Sequence, residues 1–178
     1  AHDIDCYVDG MGTRVTRQFL DQPEFLRDAD ALREAAGHAR FVTNPGQRER
    51  IADQNTVIVT TSGMLSGGPA MTYVPATRGS PTNLVAMTGY QVEGTPGREL
   101  LERGRAEFDG RVLPVSARVE AFDFSAHADL EGLLAFLAAY RDARVLVNHG
   151  DRCEAFAEDL RGEGFDASAP EIGERIEI

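Results

Sequence analysis

At 178 residues the chain is long enough for one domain, or one and a half, with a proper buried core. All 18 basic residues are arginine, and 29 acids leave a net charge of −11. No run of about 18 apolar residues exists, which excludes a membrane-spanning helix, and the first residues lack the basic and apolar regions of a signal peptide.

Such an acidic surface keeps a protein soluble but repels itself unless salt screens it. The lysine-free, acid-rich composition therefore predicts a halophile's salt-filled interior and a cytoplasmic protein. In that setting net negative charge is a solubility feature and does not argue against a nucleic-acid partner. Cys6 and Cys153 form no C-x-x-C motif and read as reduced, buried intracellular residues.

In chain order, the apolar stretch "IDCYV" (4–8) reads as a strand leading through "DGMGT" into a helix from about Thr13. Phe25, Ala29, Leu32 and Ala36 continue at helical spacing, with Gly37 as the expected C-cap. "TVIVTT" (56–61) is a β-branched run, expected of a strand buried on both faces, and ends in "SGMLSGG". "NLVAMT" (83–88) leads through "GYQVEGTPG" to the helix "RELLERG". "PATRGSPT" (75–82) and "RGRAEFDGRVLP" (103–114) read as loop-rich breaks, the second as the domain boundary. "ARVEAFDF" (117–124) leads through "SAHAD" to a helix with Leu130, Leu133, Leu134, Leu137 and Tyr140 on one face. "ARVLVN" (143–148) leads through "HGD" to a helix carrying Cys153, Phe156, Ala157 and Leu160, and "ERIEI" can form a last short strand. Strands alternating with helices imply an α/β fold, a mainly parallel sheet covered by helices.

Acids, hydroxyls and histidines gather where these strands end. Ligands of open α/β sheets bind outside the carboxyl ends of the strands, and glycine with a helix N-terminus suits an anion there. Turns need glycine in any case, so an anionic ligand is only one reading of this rim. Two of the four histidines, His127 in "FSAHAD" and His149 in "LVNHGD", stand at equivalent strand ends. An imidazole, with an ordinary pKa of about 6.5, suits proton transfer or metal ligation near neutrality. The plainer reading is that Ser125 or Asp129 caps a helix and His127 fills a turn. A zinc site needs about four ligands, and no H-x-H or H-x-x-x-H exists here; His2 and His38 have no ligand-like companions.

The ordered series "VDGMGTRVTRQFL", "TVIVTTSGML", "MTGYQVEGTPGREL", "FSAHAD" and "LVNHGD" resembles the β-CASP family of metallo-β-lactamase-fold ribonucleases, which includes mRNA 3′-end processing endonucleases, RNase J and archaeal relatives. The resemblance implies a β-CASP-like domain over 1–108, and over 109–178 the returning C-terminal portion of a metallo-β-lactamase-like domain. It assigns general-acid catalysis at the scissile phosphate to His127, with Ser125 and Ala126 beside that phosphate. His149 maps to the family's last metal-ligating histidine. Asp151 stands where the family usually has glutamate, and its role is open. Family members acting on DNA tend to carry valine at the position of His149, so histidine favours RNA.

The loops holding Ser62 and Gly63 and "GYQVEGT" (89–95) would line a channel for single-stranded RNA. Arg14 and Arg17, one helical turn apart, could reach its phosphates, although arginines on a solvated face are the plainer reading. Glu93 and Arg98 read equally as a local ion pair. On the same resemblance the H-x-H-x-D-H motif, the other zinc ligands and the carboxylate partner of the general acid all precede this stretch. The chain then reads as a fragment, inert alone and binding no zinc, of a protein that holds two zinc ions. The resemblance leaves room for a homodimer and gives no membrane partner. Two other readings stay open: a catalytically inactive paralogue acting as an RNA-binding scaffold, and a metal-free nucleotide-binding α/β module.

Overall fold

A computed structural model describes residues 4–124 and 128–177, which form two compact units. In chain order the first unit holds β1 (Cys6–Val8), α1 (Met11–Asp21), α2 (Ala29–Gly37), β2 (Ala39–Phe41), α3 (Arg48–Ala52) and β3 (Val57–Val59). It continues with α4 (Ala70–Thr77), β4 (Leu84–Met87), α5 (Pro96–Arg103), β5 (Arg105–Phe108), β6 (Arg111–Pro114) and β7 (Arg118–Ala121). The second unit holds α6 (Leu130–Leu137), β8 (Arg144–Leu146), α7 (Cys153–Gly162) and β9 (Asp166–Ser168). The fold is α/β, as the alternation predicts.

β1 lies between β2 and β3 in a three-stranded parallel sheet, with Tyr7 opposite Arg40 on one side and Ile58 on the other. β4 pairs in parallel with β7, and β8 with β9. β7, which the resemblance places in the lactamase-like portion, thus pairs within the first unit. β5 and β6 are antiparallel, joined at Asp109 and Gly110, both with positive φ. The stretch expected to be a loop-rich break is therefore a hairpin: Asp-Gly supplies the left-handed turn, and Ala106 and Phe108 alternate inward.

Four further expectations are corrected. The first helix is two helices, because Pro23 opens a short 3₁₀ turn and Asp28 starts α2 afresh, accepting the Ala31 N–H at 2.9 Å. Gly37 closes α2 from within, and His38 is the C-cap. The run "TVIVTT" is not buried on both faces, since Val57 and Val59 are each 51% exposed. Among the described residues "ERIEI" forms no strand, and β9 is the last.

Two apolar clusters hold the first unit. One packs Leu65, Val74, Met87, Leu100, Phe108 and Val115 beneath β4 and the hairpin. The other packs Val42, Ile51 and Tyr73 against Tyr7 and Ile58 of the three-stranded sheet. Helix α4 contributes to both, Val74 to one and Tyr73 to the other. The second unit is held by Leu160, Phe165 and Ala167 with Leu134, Leu137, Val145 and Phe156. Cys6 and Cys153 are free, as predicted, but half-buried rather than buried. No helix among the described residues is long and apolar enough to cross a membrane.

Candidate functional site

The central strand of the three-stranded sheet ends in Asp9, which is 2% exposed. A carboxylate buried this deeply needs donors on its oxygens, because an unpaired buried charge is expensive. It has four. Oδ1 accepts the Gly10 N–H at 2.6 Å and Arg48 Nη2 at 3.2 Å; Oδ2 accepts Arg48 Nε and the Tyr73 hydroxyl, each at 2.8 Å. Burial alone would raise the pKa of Asp9. Hydrogen bonds from Arg48, Tyr73 and the Gly10 amide, with the charge of Arg48, outweigh it and hold the carboxyl below its ordinary range. Burial, then the bond to Asp9 and its charge, push the Tyr73 phenol up, so it stays protonated and donates. The rim glycine of "DGMG" thus adjoins an anion supplied by the chain itself. Burial also pushes the Cys6 thiol up, away from the thiolate form that reacts or binds metal.

From this corner the chain passes through Gly10, at φ 72°. A Cβ there would come within 2.5 Å of Thr61 Oγ1 and 3.0 Å of the Pro69 ring, so only glycine fits. Thr61 and Pro69 flank the loop "SGMLSGG". Thr61 Oγ1 accepts the Met11 N–H at 3.2 Å, and Thr61 O accepts the Ala70 N–H at 2.9 Å. Within the loop, Ser62 N–H donates to Gly67 O and Leu65 N–H to Ser62 O, while Leu65 is buried in the core. The loop is therefore fixed at its base and pinned by Leu65, leaving Gly63 exposed and Ser62 half-exposed.

The second predicted loop joins the first. Thr95 caps α5, accepting the Arg98 N–H, and Pro96 starts the helix. The Gly97 N–H then donates to Met64 O at 2.9 Å. Gln91, 4% exposed, donates through Nε2 to Gly89 O; its Oε1 has no hydrogen-bond partner among the described residues. Arg98 pairs with Glu102 one turn along, and Glu93 adds only a weaker attraction. The alternative reading of Glu93 and Arg98 as an ion pair gives way to Arg98–Glu102, because α5 offers a carboxylate at the favourable i,i+4 spacing.

Of the arginines proposed to meet phosphate, Arg14 is exposed on α1, and the Arg17 guanidinium lies 5.9 Å from the centroid of the Phe41 ring. Ser125, Ala126 and His127 lie outside the described residues, as does His2. Asp129, two residues after His127, is the N-cap of α6 and accepts the Gly132 N–H at 2.8 Å. His149 is exposed, after β8, in the left-handed region at φ 62°. That backbone is uncommon for a side-chain-bearing residue. Among the described residues no cluster of three or more His, Cys, Asp or Glu side chains could hold a metal ion. One imidazole is too small a donor set for a zinc pair.

Sequence reasoning missed Asp9, Arg48, Tyr73 and Gln91. The available signal was an acid closing an apolar strand immediately before a glycine-rich turn.

A Beta-Casp domain model matches residues 1–100, and a model described as a Zn-dependent metallo-hydrolase RNA specificity domain matches residues 112–170. "Probable RNase MJ4" of Methanocaldococcus jannaschii is 30% identical over 99% of this chain and 42% of its own length. "RNase aCSPSF2" of Saccharolobus solfataricus is 36% identical over 97% of this chain and 35% of its own. "Transcription termination factor FttA" of Thermococcus kodakarensis is 33% identical over 84% of this chain and 26% of its own. The chain thus spans less than half the length of each of these relatives.

Proposed function

Because this chain belongs to the β-CASP family of metallo-β-lactamase-fold ribonucleases, we propose that the full-length protein is a zinc-dependent ribonuclease hydrolysing phosphodiester bonds of single-stranded RNA. The observation that carries this reading is the order of the two matches along one chain, a β-CASP region followed by an RNA specificity region. The domain division adopted with it is 1–108 and 109–178.

In this mechanism water adds across the P–O bond, and protonated His127 donates to the leaving 3′ oxygen, a role worth about 10²–10⁴-fold. Ser125 and Ala126 adjoin the phosphate. Ser62 and Gly63 receive the RNA backbone, and Arg14 and Arg17 contact its phosphates. His149 supplies one zinc ligand, and its exposure and left-handed backbone support that role, since rare conformations gather at functional sites. The other ligands come from polypeptide outside these residues, so this chain by itself is inert and takes up no stoichiometric zinc. The lysine-free acidic surface fits a salt-rich cytoplasm.

Cleavage of single-stranded RNA by the full-length protein, with His127→Ala and His149→Ala compared against it, tests the assignment. Loss of cleavage in both is expected; undiminished cleavage in both overturns the roles. Elemental analysis of the chain alone tests the metal statement, and two tightly bound zinc ions would refute it.

A further inference from the structure

We propose that Asp9, Arg48 and Tyr73 are positioning residues for the loop between Thr61 and Pro69, and through it for RNA binding at Ser62 and Gly63. This inference rests on the reading above that the loop takes RNA.

The three side chains come from three elements: the end of β1, the start of α3, and α4. Their meeting point is the base of the loop. Asp9 accepts the N–H of Gly10, the residue whose missing Cβ lets the corner lie against both Thr61 and Pro69. Tyr73 reaches the same carboxylate from one turn beyond Pro69, and its own backbone N–H donates to Pro69 O at 3.2 Å. One helical turn thus joins the phenol to the loop's second stem. The first stem is held through Thr61 Oγ1 and Thr61 O. Arg48 fixes the third side, with both Nε and Nη2 turned onto Asp9.

A buried ion pair is a poor source of bulk stability, and apolar residues of similar volume often serve as well or better. What the carboxylate adds is direction, because four donors fix three backbones relative to one another. The backbone so fixed is the one that presents Ser62 and Gly63. None of the three residues needs to touch RNA. Asp9 is sealed, and Arg48 spends its fork on Asp9.

The test uses the full-length protein and a single-stranded RNA substrate. Tyr73→Phe removes one hydroxyl and keeps the ring in its apolar cluster. Loss of one hydrogen bond to a charged group corresponds to roughly tenfold. The expected result is a KM raised by about that factor, with kcat within about twofold of the parent. Arg48→Lys keeps the charge, loses the fork, and is expected to shift KM the same way. Ser62→Ala supplies the readout that a purely structural role would not move. If Tyr73 acts through the loop, the KM effects of Tyr73→Phe and Ser62→Ala fall short of multiplying in the double variant. Effects that multiply fully, or a lowered melting temperature with unchanged KM, overturn the proposal while leaving the ribonuclease reading intact. A parent protein that neither binds nor cleaves RNA overturns both.

Discussion

The amide of Gly97, in the first turn of α5, donates to the carbonyl of Met64 at 2.9 Å, so a helix start and a loop far apart in sequence share a backbone hydrogen bond. The closeness of that approach depends on Gly97 lacking a side chain. A Cβ there would meet Gln91 Oε1 at 2.0 Å and the Gly63 carbonyl oxygen at 3.1 Å. Gly97→Ala is therefore expected to destabilise the chain by about 1–3 kcal/mol, the usual cost of overpacking. An ordinary helical glycine would instead gain from alanine. Denaturant midpoints of the two forms decide the matter, and an unchanged or raised midpoint contradicts the close approach.

Asp9 makes a second prediction, in pH. Its folded-state pKa lies below the ordinary carboxylate value of about 3.9, so folding favours the ionised form. The stabilisation is fully present above that ordinary value and is lost as pH falls through the lower, folded one. Asp9→Asn should therefore flatten the loss of stability below about pH 4. At neutral pH Asp9→Ala should cost roughly 3–5 kcal/mol, because Arg48 keeps its charge without a partner. Urea titrations between pH 2.5 and 7 measure both effects, and parallel pH profiles for Asp9→Asn and the parent would refute the linkage.

In the second unit Asp129 caps α6. Asp129→Ala should lower stability by about 1 kcal/mol, and Asp129→Ser should restore most of it. The comparison also separates folding from function within "SAHAD": if Asp129→Ser recovers the melting temperature, any deficit left in RNA cleavage belongs to chemistry.

His149 is the fourth case. Its positive φ is tolerated by glycine and asparagine but strained for a β-branched residue by roughly 1–2 kcal/mol. His149→Val should unfold more easily than His149→Asn, by thermal or chemical melting. Equal stabilities would argue against the left-handed backbone. Asparagine is accordingly the cleaner replacement for testing metal ligation.

Much of the fold was legible because β1, β3 and β4 are apolar runs closed by glycine or a polar turn, and β7 and β8 lie within the longer strand-like stretches "ARVEAFDF" and "ARVLVN". β2 and β9 were not, since "ARF" and "DAS" each hold a single large apolar residue or none and are not flanked by a longer apolar stretch. The hairpin β5–β6, read as a loop-rich break, was readable in principle from its Asp-Gly turn. The strand-end position of His149 and the compact loop around Ser62 follow from local sequence. The Asp9 cluster does not, because Arg48 and Tyr73 stand 39 and 64 residues away and only the β1–α3–α4 packing brings them together.

The bare valines of β3, with the other exposed apolar side chains, bear on which salts the chain tolerates. The ionic strength of potassium chloride screens the crowded carboxylates, whereas sulfate also raises the cost of wetted aliphatic surface. Val57 and Val59 present such surface side by side on one face of a strand. Concentrated potassium chloride should therefore keep the chain dispersed at ionic strengths where ammonium sulfate drives it out of solution.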